Sequence, residues 1–547
     1  MPHDLVLRGG TIYDGTGAPG ATGDVAIDGE RLAQVGGRAS QGRRELDVTG
    51  LAVAPGFIDP HTHYDAQVCW DRALTPSCWN GITSVVMGNC GFTIAPCRPS
   101  HRERVMRMLE RVEGMSLAAL EAGITWQWET FPEYLDAVAE MRPALNVGCL
   151  VGHSAVRTYV LGDDASERPA TGDEVERMRA IVRGAMDAGA LGFSTSQAPT
   201  HFGGDGRPVP SRAAADEEIV ELASVLRDVD RGAVEITTKH LVDVDVSIAA
   251  ARRSGRPVSF LGALRPDGIE KVARARAEGL KLVPQTSCRP TLTDFKLVGM
   301  GIFDQLPSWK SVMSATRDEL PRVLADREFR ARFRADVTGP SESFRLFKGD
   351  WEGVKIQLAH APAVKALVGK SVADVAAARG ADPFDAFFDV ALEDDLRTEF
   401  SYCLSSDAGR GPSLLDEDTL IGLSDAGAHL TLLADHAYTT YFLGRWIRER
   451  KLMPLEHAVR KLTMAPAELF GIRERGRLAA GCFADVVTFD PDRVTDLPTQ
   501  LVHDLPGGAP RLLTRAQGIE SVIVNGAVTV ERGDLTGERA GRVLRSA

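Results

Sequence analysis

The sequence predicts an α/β protein, a (β/α)8 TIM barrel joined to a small β-sandwich domain formed from both chain termini, and three observations predict it. Eight apolar strand-like runs recur through the middle of the chain, helical periodicity fills several intervals between them, and both ends read as short strands split by glycine turns. Strands that alternate with amphipathic helices must lie parallel and be covered by those helices, which is the logic of a barrel.

Residues 1–54 supply DLVLRGGTIYDG, DVAIDGERLAQVG and RELDVTGLAVAPG, and residues 476–547 resume that style with GRLAAGCFADVVTFD and GIESVIVNGAVTVERG. These two ends are expected to form one β domain around a barrel over 55–475. The barrel runs are GFIDPHTH, ITSVVMGNCG, NVGCLVGHS, ALGFSTS, AVEITTKH, PVSFLGA, LKLVPQTS and LIGLSDAG. Between them, RERVMRMLERV places Val105, Met108, Leu109 and Val112 on one helical face, and DEVERMRAIVRGAMDAG does the same with Val175, Met178, Ile181, Val182 and Ala185. The interval from Cys288 to Thr419 exceeds any ordinary connection, so an insertion is expected around 290–350, with FKLVGMGIFDQLPSW as its lid.

A chain of 547 residues exceeds one compact core. Its net charge of −12 argues against nucleic acid or an anionic membrane surface as partner. No apolar stretch approaches the roughly 20 residues of a membrane span, and MPHDLVLRGG lacks the basic and apolar regions of a secretory signal. Eight scattered cysteines read as reduced thiols of a cytoplasmic protein. Exposed helical faces would permit a homo-oligomer.

Seven of the eight strand runs end in polar residues, and in such barrels the reacting groups sit at that rim. His61 and His63 end the first run two residues apart, so an extended chain puts both imidazoles on one side, where they can bite a single metal ion. Surface strands carry such pairs freely; it is the position at the end of a barrel strand that favours a metal. Asp425 ends the eighth run, next to the first once the barrel closes, and can bind the metal and carry the proton of an attacking water. Cys90 ends the second run and is either a thiolate ligand or a small buried hydrophobe.

GFIDPHTHYD, VVMGNCG, VGHSAVR, GALGFSTS, IGLSDAGAH and LTMAPAELFGIRERGRLAAGCFADVVTFD, in this order with a split β domain, resemble the amidohydrolase superfamily in its N-acyl-D-amino-acid deacylase (D-aminoacylase-like) branch. The resemblance covers nearly the whole chain. It implies zinc-dependent hydrolysis of an amide, a metal centre served by His61, His63, Cys90 and Asp425, and pocket roles for Gly152, His153, Ser154 and Arg157. That branch also takes a histidine from strand five and another from a His-His-Lys run on strand six. Here strand six reads PVSFLGAL, and strand five offers only His240 at its extreme end. The expectation is therefore one catalytic zinc, with His240 open between ligand and loop residue and no full two-zinc centre.

A small-molecule amide with a carboxylate needs cationic partners, and Arg157, Arg289 and Arg410 lie near rim loops; His201, after strand four, is either a substrate contact or a solvated loop residue. His429, four residues past Asp425, is placed to support the centre. The reading is a metal-dependent hydrolase of a C–N bond, with an N-acyl amino acid as substrate. A cyclic-amide hydrolase or deaminase, a lyase or cyclase, and a non-catalytic barrel with a degenerate centre remain alternatives, because fold does not settle reaction.

Overall fold

Eight parallel strands form where the eight runs lie: β1 (Phe57–Asp59), β2 (Ile82–Met87), β3 (Asn146–Gly152), β4 (Gly192–Ser196), β5 (Ala233–Thr237), β6 (Val258–Leu261), β7 (Leu282–Thr286) and β8 (Leu420–Ile421). This computed structural model describes residues 1–239, 243–261, 266–298, 302–340 and 345–546. Each strand pairs with its neighbour in sequence, and a parallel bridge between Thr62 and Ala426 brings the exit of β8 against the exit of β1. Strands β2 to β5 are buried along their whole lengths. Helices cover one face and side chains fill the other, hence their Val- and Ile-rich runs.

The helices start and stop where local chemistry dictates. Thr171 and Glu174 exchange capping-box hydrogen bonds at the start of Gly172–Asp187. The helix Arg102–Glu113 ends at Gly114, whose φ of 63° needs no Cβ accommodation. Its buried face is Val105, Met106, Met108, Leu109, Val112 and, at the last position, Glu113. No described helix is long and apolar enough to cross a membrane.

The strand-rich ends meet. His3–Ile12, Ala21–Asp28, Arg31–Val35, Gly42–Asp47 and Ala52–Pro55 join Val486–Phe489, Ile519–Val524, Ala527–Glu531 and Asp534–Leu535 in one hydrogen-bonded sheet. The sheet branches at its first strand, which pairs with three others, and it encloses Leu5, Leu7, Ile27, Val53, Val486 and Ile523. The tail leaves it: Val543–Leu544 pairs with Val147 and Gly148 at the start of β3, so the end of the expected 476–547 segment belongs to the barrel wall.

The insertion is larger than the 290–350 read from the sequence. Thr291–Phe295, Lys355–Leu358 and Glu399–Ser405 form its sheet, and one aromatic core runs from Phe295 to Phe400. The segment expected to be a lid contributes Phe295, Phe303 and Trp309 to that core. Phe303 and Trp309 sit 4.9 Å apart, and Phe387 and Phe400 sit 4.7 Å apart. Rings of this size lose too much by exposure to serve as a loose flap.

Candidate metal centre

The C-terminal ends of β1, β2 and β8 converge. Donor atoms of His61, His63 and Cys90 lie within 4.8 Å of one another, the one such group among the described residues. His61 Nε2 is 3.4 Å from Cys90 Sγ. Asp425 Oδ1 stands 3.4 Å from His61 Nε2 and 3.5 Å from His63 Nε2. His61 and His63 are 1% and 4% exposed at the side chain and Asp425 21%, so the donors sit at the floor and the carboxylate faces the open mouth.

The backbone is bent to make this arrangement. Cys90, Asp425 and His429 have φ of 54°, 47° and 48°, a left-handed conformation costing non-glycine residues roughly 1–2 kcal/mol each. Gly427 has φ 91°, and a Cβ there would meet the carbonyl oxygen of His63 at 2.6 Å; only glycine lets the loop after β8 press on the end of β1. The acids flanking the histidine pair hold backbone. Asp59 accepts the N–H of His61 (3.2 Å), and Asp65 accepts that of Gly88 (2.9 Å). Burial pushes both carboxyls up to about 7.

A second ring of polar residues orients the donors. Gln285, at the end of β7, takes His61 Nδ1 at 3.0 Å on its Oε1 and donates to Ser259 Oγ at 2.6 Å. With Nδ1 carrying the proton, Nε2 of His61 is left bare toward Cys90 and Asp425. Glu113, at the last position of its helix, faces His63 Nδ1 at 3.2 Å and His429 Nε2 at 4.0 Å. Glu235, on β5, accepts the backbone N–H of Cys90 at 2.7 Å, and Thr237 donates its hydroxyl to Cys90 Sγ at 3.1 Å.

The donor set fits a thiophilic dication. Burial pushes the Cys90 thiol up to about 12, the charge of Glu235 adds to the rise, and His63 opposes it. Such a thiol is a poor ligand until a cation stabilises the thiolate, whereas two imidazole Nε2 atoms and one sulfur beside it are a zinc-type donor set. Burial also works against ionised Asp425. The hydrogen bond with His63 and the charges of His61 and His429 outweigh it and hold that carboxyl well below its ordinary range.

The residues expected to meet substrate divide. His201 stands at the mouth, with Nδ1 2.7 Å from Ser196 Oγ and its ring 5.1 Å from Phe92. His153 does not line a pocket: it is fully buried, with its nitrogens 2.8 Å from Thr195 Oγ1 and 2.8 Å from Glu218 Oε1. Arg157 is fully buried too, gripping both oxygens of Glu218 at 2.5 Å and donating to the carbonyls of Ala165 (3.2 Å) and Arg168 (2.7 Å). Arg289 is committed to Asp496 at 2.6 Å. Arg410 pins the exit of β7 through the carbonyls of Ser287 (2.6 Å) and Ser406 (2.9 Å). Arg157 and Arg289 are thus neutralised by carboxylates and Arg410 is tied to backbone carbonyls. His240 and the residues after β6, 262–265, lie outside the described residues.

Sequence reasoning missed Glu113, Glu235 and Gln285. Two of them carried a signal. Glu113 lies four residues after Leu109 on an otherwise apolar helical face, and Glu235 interrupts Val234 and Ile236 in a buried strand, in register with Thr237.

Fold and site together define a metal-assisted barrel hydrolase. The amidohydrolase family profile matches residues 44–530, and the chain belongs to the amidohydrolase family. It is 30% identical to D-aminoacylase of Alcaligenes xylosoxydans xylosoxydans, over 100% of this chain and 98% of that one. It is 31% identical to N-acyl-D-glutamate deacylase of the same organism, over 99% and 96%. Among solved structures, N-acyl-D-glutamate deacylase from Bordetella bronchiseptica, complexed with zinc and a phosphonate mimic of the tetrahedral intermediate, superimposes with a TM-score of 0.69 at 27% identity over 100% of both chains. A D-aminoacylase with a binuclear metal centre gives 0.68 at 29% identity, again over 100% of both chains.

Proposed function

We propose that this chain is a zinc-dependent hydrolase of the amide bond in N-acyl amino acids, of the D series as in its full-length relatives. The observation that carries the reading is Asp425, ionised and open to the mouth, set against His61, His63 and Cys90. These three residues would hold the zinc, which supplies Lewis acidity and a nucleophile potent at neutral pH. Asp425 accepts the proton of the attacking water on its mouth-facing carboxylate and returns it to the leaving nitrogen, so that the amine departs neutral. Gln285 and Glu113 keep the Nε2 atoms of His61 and His63 turned inward. Cys90, a thiol until a cation is bound, would then supply a thiolate whose negative charge lessens the Lewis acidity of the cation.

The test is zinc content per chain and hydrolysis of a panel of N-acetyl-D-amino acids by the wild type and His63→Ala. Zinc-dependent release of acetate, lost in His63→Ala together with the metal, is expected. A wild type that binds zinc and cleaves no member of the panel would overturn the substrate reading. One that takes up no zinc on reconstitution would overturn the mechanism.

A further inference from the structure

An N-acyl amino acid carries its carboxylate two bonds from the scissile nitrogen, so the anion must be received at the mouth itself. Asp425, the carboxylate that faces the mouth, opposes an anionic substrate, and Arg157, Arg289 and Arg410 are spent on internal partners. Among the described residues, one guanidinium beside His201 is not.

Arg212 lies in the turn Pro210–Ala213, after β4. The turn is pinned to the rim: Ser211 is fully buried, donates its hydroxyl to the carbonyl of Ser196 at 2.7 Å, and accepts from Ser154 Oγ at 3.1 Å. Ser196 is the last residue of β4 and also holds His201 Nδ1 at 2.7 Å. Arg212 lies 4.6 Å over the ring of Phe202 and spends one donor, Nη1, on the carbonyl of His201 at 2.8 Å.

Among the described residues no carboxylate neutralises Arg212. Burial lowers its pKa and no anion offsets the effect. A half-buried guanidinium in that state is electrostatically incomplete, because arginines removed from water are normally paired. The rest of its planar fork remains for a carboxylate, which it matches in geometry. His201 is next to it, within electrostatic reach of His429, His63 and Asp425. Its ring rests on Phe92, two residues beyond Cys90. With Nδ1 engaged by Ser196, Nε2 is its remaining polar atom.

We propose that Arg212, together with Nε2 of His201, forms the subsite that receives the substrate's carboxylate. This rests on the deacylase reading above and adds to it a residue that selects acids over neutral amides. The guanidinium is fixed in advance by its stacking on Phe202 and by the pinned turn, so little side-chain freedom is lost on binding.

The experiment is steady-state kinetics of wild type, Arg212→Gln and Arg212→Lys on N-acetyl-D-amino acids and on the matching N-acetyl-D-amino-acid carboxamides, with zinc content measured for each protein. For the acids, kcat/KM of Arg212→Gln is expected to fall about 10- to 100-fold, mainly through KM, with partial recovery in Arg212→Lys. The carboxamides should be cleaved equally by all three proteins, and zinc content should not change. Unchanged kinetics on the acids would overturn the subsite, and an equal loss on acids and carboxamides would reduce Arg212 to a structural residue. A wild type that cleaves neither class would instead remove the deacylase reading, and the subsite with it.

Discussion

This barrel holds two buried histidine–glutamate pairs, His63 with Glu113 at the candidate centre and His153 with Glu218 beside β3, and they differ in how their polar atoms are satisfied. Both nitrogens of His153 are bonded, and Glu218 takes Arg157 as well. His63 Nδ1 and Glu113 Oε1 stand 3.2 Å apart without completing a hydrogen bond, and Nε2 of His63 faces Asp425 and the mouth. A saturated cluster holds elements together; an unsaturated one is poised for a ligand. Under the proposed function, the same residue types at the same depth serve structure in one place and chemistry in the other, and the count of unmet polar atoms separates them.

That comparison can be broken, most sharply at Asp425. Asp425→Asn should lower hydrolysis about 10²- to 10⁴-fold while zinc stays, because on the proposed function His61, His63 and Cys90 would still hold it. Loss of zinc with activity would make Asp425 a ligand first and a proton carrier second. Next, Glu218→Gln should cost about 3–5 kcal/mol of stability by leaving Arg157 buried and unpaired, with zinc content unchanged. Urea unfolding measures this, and a change in zinc content would dissolve the distinction between the two pairs.

Glu218 also sets a pH dependence. Burial raises its pKa, but the hydrogen bond from His153 and the charge of Arg157 prevail and bring it down from 4.5 to about 2. Its contribution is therefore fully present above about 4.5 and is lost as pH falls toward 2. Melting temperatures of the wild type should drop between pH 5 and pH 3, and Glu218→Gln should flatten part of that limb.

Smaller effects sharpen the other side. Glu113→Gln should weaken zinc binding about 10- to 100-fold in chelator competition, with a slight change in melting temperature. A large melting shift with intact zinc affinity would place Glu113 among the structural carboxylates. Thr237→Val removes the hydroxyl at Cys90 Sγ and should weaken zinc about 2- to 10-fold. No change would show that Glu235 alone orients the cysteine.

Much of the barrel was legible, because every strand but the sixth announced itself twice: by an apolar run, and by the polar residue that ended it. His61, His63, Cys90 and Asp425 were found that way, and the structure brings the four together. The arginines were not legible. Arg157 is 61 residues from Glu218, and nothing local to either says that a mouth-facing role has been traded for a buried ion pair. Gln285 lies 224 residues from His61; its part depends wholly on β7 standing next but one to β1, with β8 between them. The insertion was misjudged for a related reason, since aromatic residues scattered from Phe295 to Phe400 carry no periodicity that marks them as one core.

The sequence by itself determined the elements and their polarity: which segments are strands, which end of each carries chemistry, and which residue types wait there. Period and spacing encode these locally. Only the tertiary structure decided which polar side chains are consumed by one another and which are left facing the mouth. Satisfaction of a buried donor depends on partners tens to hundreds of residues away, and barrel closure alone puts them within hydrogen-bonding distance.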